Sequence, residues 1–173
     1  MPSPWLVSRA PSTPSAPCMP RKPFSVREHL AVRNSGIHGK GVFARKRIPS
    51  GVRLLEYTGE RVPTEEGYAR YPYYDDVPYH TFLFTVDDDT VIDAAVGGGI
   101  AKWINHSCDP NCESVVEDGR IFIESIRPIK PGEELAYDYK LITEGRYTPE
   151  VKRRYPCECG APNCRGTMLG KKR

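Results

Sequence analysis

Three thiols fall within eight residues in Cys157-Glu158-Cys159-Gly160-Ala161-Pro162-Asn163-Cys164. Cysteines one residue apart close only a strained disulfide ring, whereas as thiolates they suit one shared metal ion. Gly160 and Asn163 supply the tight turn that brings Cys164 back to the other two. Three thiolates leave a tetrahedral Zn²⁺ one ligand short. Cys108 or Cys112, in Cys108-Asp109-Pro110-Asn111-Cys112, is the available donor, and Cys18 lies far off near the N-terminus. Oxidised or free thiols are the alternative. A zinc staple with an imported ligand would pin the C-terminal stretch onto the residues near 108.

That same stretch carries other chemistry. Asn105-His106-Ser107-Cys108 packs amide, imidazole, hydroxyl and thiol together, and Gly132-Glu133-Glu134-Leu135-Ala136-Tyr137-Asp138-Tyr139 adds carboxylates and phenols. Upstream stand His38-Gly39-Lys40-Gly41-Val42-Phe43-Ala44 and Glu56-Tyr57-Thr58-Gly59-Glu60. Taken singly, Asn105 and His106 read as satisfied core polar groups and Tyr139 as an ordinary buried tyrosine.

The elements that must position these groups are short. Leu30–Val32, Val42–Ala44 and Val52–Tyr57 are apolar runs punctuated by glycine and by Pro49-Ser50-Gly51. Phe82–Val86 and Val91–Ala94 flank a turn at Asp87-Asp88-Asp89, and Ser114–Glu117 and Arg120–Ile126 alternate around Asp118-Gly119, a strong hairpin signal. No segment sustains a 3.6-residue period over three turns. The helical candidates are Thr64–Arg70, Ile100–Ile104 and Pro149–Arg154. The chain reads as mostly β, with small sheets and little helix.

At 173 residues the chain is one domain, or one domain plus a tail. Residues 1–23 hold seven of the seventeen prolines, read as a disordered Pro/Ser-rich tail. Those prolines also disfavour an amphipathic transit peptide, and the stretch lacks the apolar segment of a secretory signal. No apolar run approaches the roughly 18 residues of a membrane-spanning helix, so no membrane partner is expected. Charge is unevenly distributed. Residues 1–53 carry ten basic and one acidic side chain, residues 54–93 two and ten, and residues 145–173 eight and two. A basic chain usually suggests nucleic acid, but an acidic middle would repel phosphate and attract basic partners.

With these four signatures in order and Cys-x-Cys-x4-Cys behind them, the chain resembles the SET-domain protein lysine methyltransferases with a post-SET zinc segment. The resemblance runs from about Phe24 to Leu169. Without a cysteine cluster ahead of residue 24, it is similar to the compact, stand-alone type. It implies a tail at 1–23, a SET domain of small twisted sheets with a pseudoknot at 24–144, a zinc-stapled post-SET segment at 145–169 and a basic tail at 170–173. S-adenosylmethionine is the implied methyl donor, bound without a dinucleotide-binding fold, and Gly97-Gly98-Gly99 is not a dinucleotide fingerprint. Gly39, Lys40 and Gly41 map to the turn that approaches the cofactor, where a Cβ would collide with it. Phe82, Lys102, Asn105 and His106 map to further cofactor contacts. Tyr139 maps to the catalytic tyrosine, Tyr137 to the position that influences how many methyls are added, and Tyr57 to the lysine channel wall. Cys108 maps to the fourth zinc ligand beside Cys157, Cys159 and Cys164. A hydroxyl at Tyr137 implies mainly mono- or dimethylation.

This chain departs from the family pattern at three places. Lys102 stands where the family often has Arg and loses the bidentate fork; Gly99 replaces an amide residue; Phe82 replaces a tyrosine, for which Tyr79 or His80 would compensate. The family's substrate cleft maps partly to an insert at 61–80, rich in tyrosine and carrying Glu65, Glu66, Asp75 and Asp76, which suits an extended basic peptide such as a histone tail. Two other classes compete: a catalytically weak module that binds a lysine peptide, and a zinc-stapled nucleic-acid binder. The basic ends would also tether an enzyme weakly to DNA. Reduced zinc thiolates favour an intracellular location, cytoplasmic in a prokaryote and nuclear or chromatin-associated in a eukaryote.

Overall fold

The computed structural model describes residues 25–71, 81–143 and 145–171. The expectations placed on 1–23, on Tyr79 and His80, and on Asp75 and Asp76 lie outside them. The described residues form ten short strands and three short α-helices, the mostly β architecture read from the sequence. Helix α1 (Val26–His29) leads into strand β1 (Leu30–Asn34), which pairs antiparallel with β2 (Lys40–Ala44) across the turn that contains Gly39. Gly39 adopts a φ of 48°, in the left-handed region where a side chain is strained.

Strand β3 (Arg53–Glu56) opens a five-stranded sheet with β8 (Cys112–Glu117), β9 (Arg120–Ser125), β7 (Asn105–His106) and β10 (Ala136–Tyr137), in the order β3-β9-β8-β10-β7. A second sheet of three strands holds β4 (Glu60–Pro63), β5 (Leu83–Thr85) and β6 (Thr90–Asp93), with helix α2 (Thr64–Ala69) packed on β6. The β8–β9 hairpin turns on Asp118-Gly119, both at positive φ (50° and 71°), as the two-residue hairpin turn requires. Residues Ile100–Trp103 form a 3-10 turn rather than an α-helix.

Strand β10 lies parallel to both β7 and β8, inserted between two strands that a five-residue loop joins. The segment 133–139 is thus threaded against the 107–111 loop, the crossing implied by the family pseudoknot. Hydrophobic contact alone cannot fix such a crossing, because parallel strands of two residues offer few ladder bonds. Asn111 does so instead. Its Nδ2 donates to the Glu134 carbonyl at 2.7 Å and to Glu133 Oε1 at 3.1 Å, and its Oδ1 accepts from the Ala136 N–H at 2.9 Å. With 3% of its surface exposed, this amide would be costly to leave unsatisfied.

The core around it contains Val42, Ile48, Leu54, Phe84, Ile104, Ile121, Ile123, Ile129 and Leu135. Beyond residue 141 the chain leaves the sheets. Helix α3 (Pro149–Arg153) starts at Thr148, whose hydroxyl accepts from the Val151 N–H, and has proline in its first turn. The chain then returns: Leu141 bridges Leu169 and Pro156 bridges Thr167.

Candidate active site and metal centre

The turn after β1, the end of β7, strand β10, strand β5 and the C-terminal segment converge on one cavity of about 450 Å³. That volume is in the range of small-molecule sites. Its lining includes the polar groups His38, Lys40, Lys102, Asn105 and His106 with Gly39 and Trp103, and the aromatic rings of Tyr57, Phe84, Tyr137 and Tyr139. Tyr155, Pro156, Cys157, Glu158 and Met168 come from the C-terminal segment. Residues separated by more than a hundred positions in sequence thus share one space. Ten of the residues singled out by the resemblance (Gly39, Lys40, Tyr57, Phe82, Lys102, Asn105, His106, Tyr137, Tyr139 and Cys157) line it.

Gly41 does not line it. A Cβ at Gly41 would run into the Glu134 carboxylate, whereas one at Gly39 would meet nothing within 4 Å. Gly41 is thus kept small by a protein carboxylate, and Gly39 is favoured by its left-handed backbone beside open space.

The tyrosines form one aromatic cluster. Tyr137 and Tyr139 have ring centroids 4.8 Å apart, Tyr57 and Phe84 5.1 Å, and Phe84 and Tyr137 6.2 Å. The Tyr139 hydroxyl donates to the Ile104 carbonyl at 2.8 Å and the Tyr57 hydroxyl to the Phe82 carbonyl at 2.8 Å. Each phenol proton is thereby directed into the protein, which leaves the oxygen as an acceptor. Burial pushes all three phenols above the ordinary tyrosine range, so they are neutral near pH 7.

His106 sits behind Tyr139. Its Nδ1 accepts the Tyr139 N–H at 3.1 Å, and burial brings the imidazole down to about 4, so the ring is neutral and its proton is on Nε2. Nε2 lies 3.5 Å from Cys108 Sγ and donates to it. The 3.6 Å approach of Asp138 to Nδ1 is for the same reason not an ion pair.

The substitutions relative to the family pattern are absorbed locally. The Lys102 ammonium donates to the Ala94 carbonyl at 3.2 Å and lies over the Phe82 and Trp103 rings, and Lys40 lies over the other partner, with Nζ 4.9 Å from the Trp103 centroid. The Gly99 N–H donates to Thr58 Oγ1 at 3.1 Å. In the insert, Glu66, Glu60 and the buried Asp93 all bind Arg70, and the Tyr71 hydroxyl donates to Asp93 at 2.8 Å. Part of the acidity expected to face a basic peptide is therefore used inside the protein; Tyr68 does line the cavity.

Next to the cavity, the sulfurs of Cys108, Cys157, Cys159 and Cys164 all lie within 4.8 Å of one another. The Cys108–Cys157 and Cys108–Cys164 separations are 3.7 and 4.0 Å. These are too long for disulfides and match the roughly 3.8 Å edge of a tetrahedron with Zn–S bonds of about 2.3 Å. Main-chain N–H groups already point at the sulfurs: Cys108 to Cys159 at 3.5 Å, Arg165 to Cys108 at 3.4 Å and Gly166 to Cys164 at 3.3 Å. Burial opposes ionisation of Cys159, but the Cys108 and Ala161 N–H groups and the adjacent thiols bring it down to about 6. Cys112, the other candidate donor, is buried in β8 with its thiol pushed up to about 12, chiefly by desolvation, and is not among the four.

Sequence reasoning missed Arg165. Its two terminal nitrogens each bind an Asp138 oxygen at 2.8 Å, one residue from both Tyr137 and Tyr139. A bidentate pair with Asp138 mostly buried ties the cysteine segment to the tyrosine strand.

Residues 39–140 match the SET domain family. The chain belongs to the SET-domain family. Over 146 residues it is 40% identical to "Histone-lysine N-methyltransferase trr" of Drosophila melanogaster, covering 82% of this chain and 6% of that protein. It is 42% identical over 139 residues to "Histone-lysine N-methyltransferase, H3 lysine-4 specific" of Saccharomyces cerevisiae, covering 78% of this chain and 12% of that one. To "Histone-lysine N-methyltransferase 2B" of Homo sapiens it is 38% identical over 143 residues, 80% of this chain and 5% of that protein. The SET-domain chain thus spans a small fraction of these relatives' length.

Proposed function

We propose that this SET-domain chain is a protein-lysine N-methyltransferase that uses S-adenosylmethionine and acts on a histone or histone-like basic protein. The observation that carries the reading is one cavity whose lining combines Gly39, Lys40, Asn105 and His106 with a cluster of three neutral phenols. The relatives' names supply the substrate class.

The residues present fit the donor. The main chain at Gly39 leaves open space where other residues would project a side chain, and residues 38–40, 105 and 106 line the same cavity. When bound, S-adenosylmethionine supplies an electrophilic methyl on a sulfonium. The protein's part is to deliver a neutral amine in line with it at about 3–3.5 Å. A lysine with an ordinary value of about 10.4 loses its proton more readily when stripped of water among Tyr57, Phe84, Tyr137 and Tyr139 and placed near another cation. Tyr139 is the positioning hydroxyl for the reacting centre. A phenol raised by burial is no base near pH 7, so deprotonation comes from desolvation and like charge and not from Tyr139. Tyr137 limits the product to mono- and dimethyl-lysine, because its hydroxyl hinders rotation of a more substituted amine.

The four thiolates of Cys108, Cys157, Cys159 and Cys164 hold Zn²⁺, which supplies structure and no chemistry to the transfer. The unit 24–144 is the catalytic body and 145–169 its post-SET closure. Basic residues at the two ends give weak contact with DNA, and the location is intracellular, in chromatin where histones are the substrate.

The test is methyl transfer from labelled S-adenosylmethionine to core histones, with the site mapped by mass spectrometry. Wild type transfers label, Tyr139→Phe lowers kcat by roughly 10²–10³, and Tyr137→Phe shifts the product toward trimethyl-lysine. In both wild type and Tyr139→Phe, kcat/KM rises about tenfold per pH unit from 7 to 9, because the neutral amine is the reactant and its fraction grows with pH. Retention of peptide binding with no transfer by wild type would favour a lysine-peptide binding module instead. Dominant trimethyl-lysine from wild type would refute the role given to Tyr137.

A further inference from the structure

The cavity wall at Gly39 and Lys40 belongs to a tight turn, residues 35–39, whose own main-chain closure is the Ser35 N–H to Gly39 carbonyl bond at 2.9 Å. Beyond that closure, the turn has support from outside itself. Here that support is a carboxylate from a distant segment. Glu134, just before β10, accepts from the Ser35 hydroxyl with Oε1 at 2.8 Å and Oε2 at 2.9 Å, and from Asn105 Nδ2 with Oε1 at 2.8 Å.

Ser35 passes the constraint on. Its Oγ accepts from the Ile37 N–H at 2.9 Å and the His38 N–H at 3.4 Å. The same Asn105 nitrogen reaches the Lys40 carbonyl at 3.0 Å, Ser35 Oγ at 3.1 Å and the His38 carbonyl at 3.2 Å. All four of its neighbours are acceptors, so the amide orientation is fixed by chemistry, and its two hydrogens are shared among protein groups. Gly41 completes the arrangement, since any side chain there would displace the carboxylate.

We propose that Glu134 is a positioning residue: through Ser35 and Asn105 it locks the 35–40 turn into the shape that receives the cofactor. The inference rests on the reading of this cavity as the S-adenosylmethionine site. Hydrogen bonds to a carboxylate are the strong ones, and two donors converge here: the Ser35 hydroxyl, its one hydrogen shared between both oxygens, and the Asn105 amide. Glu134→Gln removes the negative charge and puts an NH2 donor where Oε2 now accepts from Ser35, and Ser35→Ala removes the link while sparing Glu134.

The test has two arms on the full chain. In hydrogen exchange without ligand, Glu134→Gln and Ser35→Ala each speed amide exchange of residues 36–40 by roughly tenfold or more, while the β8–β9 hairpin exchanges as in wild type. In calorimetry with S-adenosylhomocysteine, each weakens binding by roughly tenfold, the double variant is no weaker than the worse single one, and Ser35→Thr, which keeps the hydroxyl, binds as wild type does. Wild-type exchange at 36–40 in both single variants, or additive losses in the double variant, would overturn the lock. If Glu134→Gln does not fold, Ser35→Ala carries both measurements. Failure of wild type itself to bind S-adenosylhomocysteine would instead overturn the reading of the cavity, since the exchange arm needs no ligand.

Discussion

The β-sheet body and the C-terminal segment that closes on it are held by different physics. Residues 30–140 bury Val42, Ile48, Ile104, Ile121, Ile123, Ile129 and Leu135 almost completely, and add polar pins such as Asn111 where strands cross. Residues 145–171 are described by mostly half-buried or exposed positions, with Thr167, Leu169 and Gly170 as their buried ones. What fixes the latter is three sulfurs converging with that of Cys108, one ion pair from Arg165, and bridges at Pro156–Thr167 and Leu141–Leu169. A segment this short cannot build a core of its own, and a cysteine cluster that fits a metal ion stands where a core would be. Five of its residues line the cavity, so on the proposed reading ligand binding, and not the fold of the body, depends on the thiolate site.

The largest effect expected is therefore from metal removal. A strong zinc chelator, or Cys159→Ser, lowers affinity for S-adenosylhomocysteine by about 100-fold or more, while the main thermal transition and the protection of the β8–β9 amides persist. Zinc release is followed with a metallochromic dye in the same sample. If the body unfolds at the chelator concentration that releases zinc, the two regions are one cooperative unit and the comparison fails.

Asn111→Ala is the reverse experiment. It removes a buried amide with three partners and leaves the Ala136 N–H and the Glu134 carbonyl short of a bond. A loss of about 2–4 kcal/mol in urea unfolding is expected, with the rate of zinc release from still-folded protein unchanged. Faster zinc loss at equal folded fraction would show that the crossing and the thiolate site are not separable.

The same division explains what could be read from the sequence. The hairpin at Asp118-Gly119, strands β1, β2, β5 and β6, and helices α2 and α3 were legible because glycine, proline and alternation mark them locally. Strands β7 and β10 were not, since two residues have no period, and their pairing to each other is set by a crossing about thirty positions apart. The thiolate cluster announced itself through spacing, but its fourth member stayed open between Cys108 and Cys112, four residues apart on either side of that crossing. Glu134, Asn111 and Arg165 carry no local signal. Their roles lie in partners 22 to 99 positions away, and a polar residue met alone in sequence looks the same whether it faces water or holds a turn.

Arg165 is where the two regions meet, and its removal gives the smallest effect of the three. Its guanidinium binds both oxygens of Asp138 at 2.8 Å, and the pair is shielded enough, with Arg165 25% and Asp138 17% exposed, to exceed a surface ion pair. Burial would raise the Asp138 carboxyl, but Arg165 and the Lys140 N–H hold it below the usual carboxylate range, so the pair is fully charged at neutral pH. Arg165→Gln keeps the length and one donor while losing the charge. Docking of the segment then weakens by about 1–2 kcal/mol, read as a roughly tenfold faster release of zinc to chelator. The unfolding midpoint of the body stays within error, because Asp138 retains its Lys140 N–H partner and lies outside the apolar core. An unchanged zinc-release rate would mean that the four thiolates alone hold the closure and that Arg165 only screens their charge. A lowered midpoint would place the clamp inside the body and move the boundary between the two regions past Asp138.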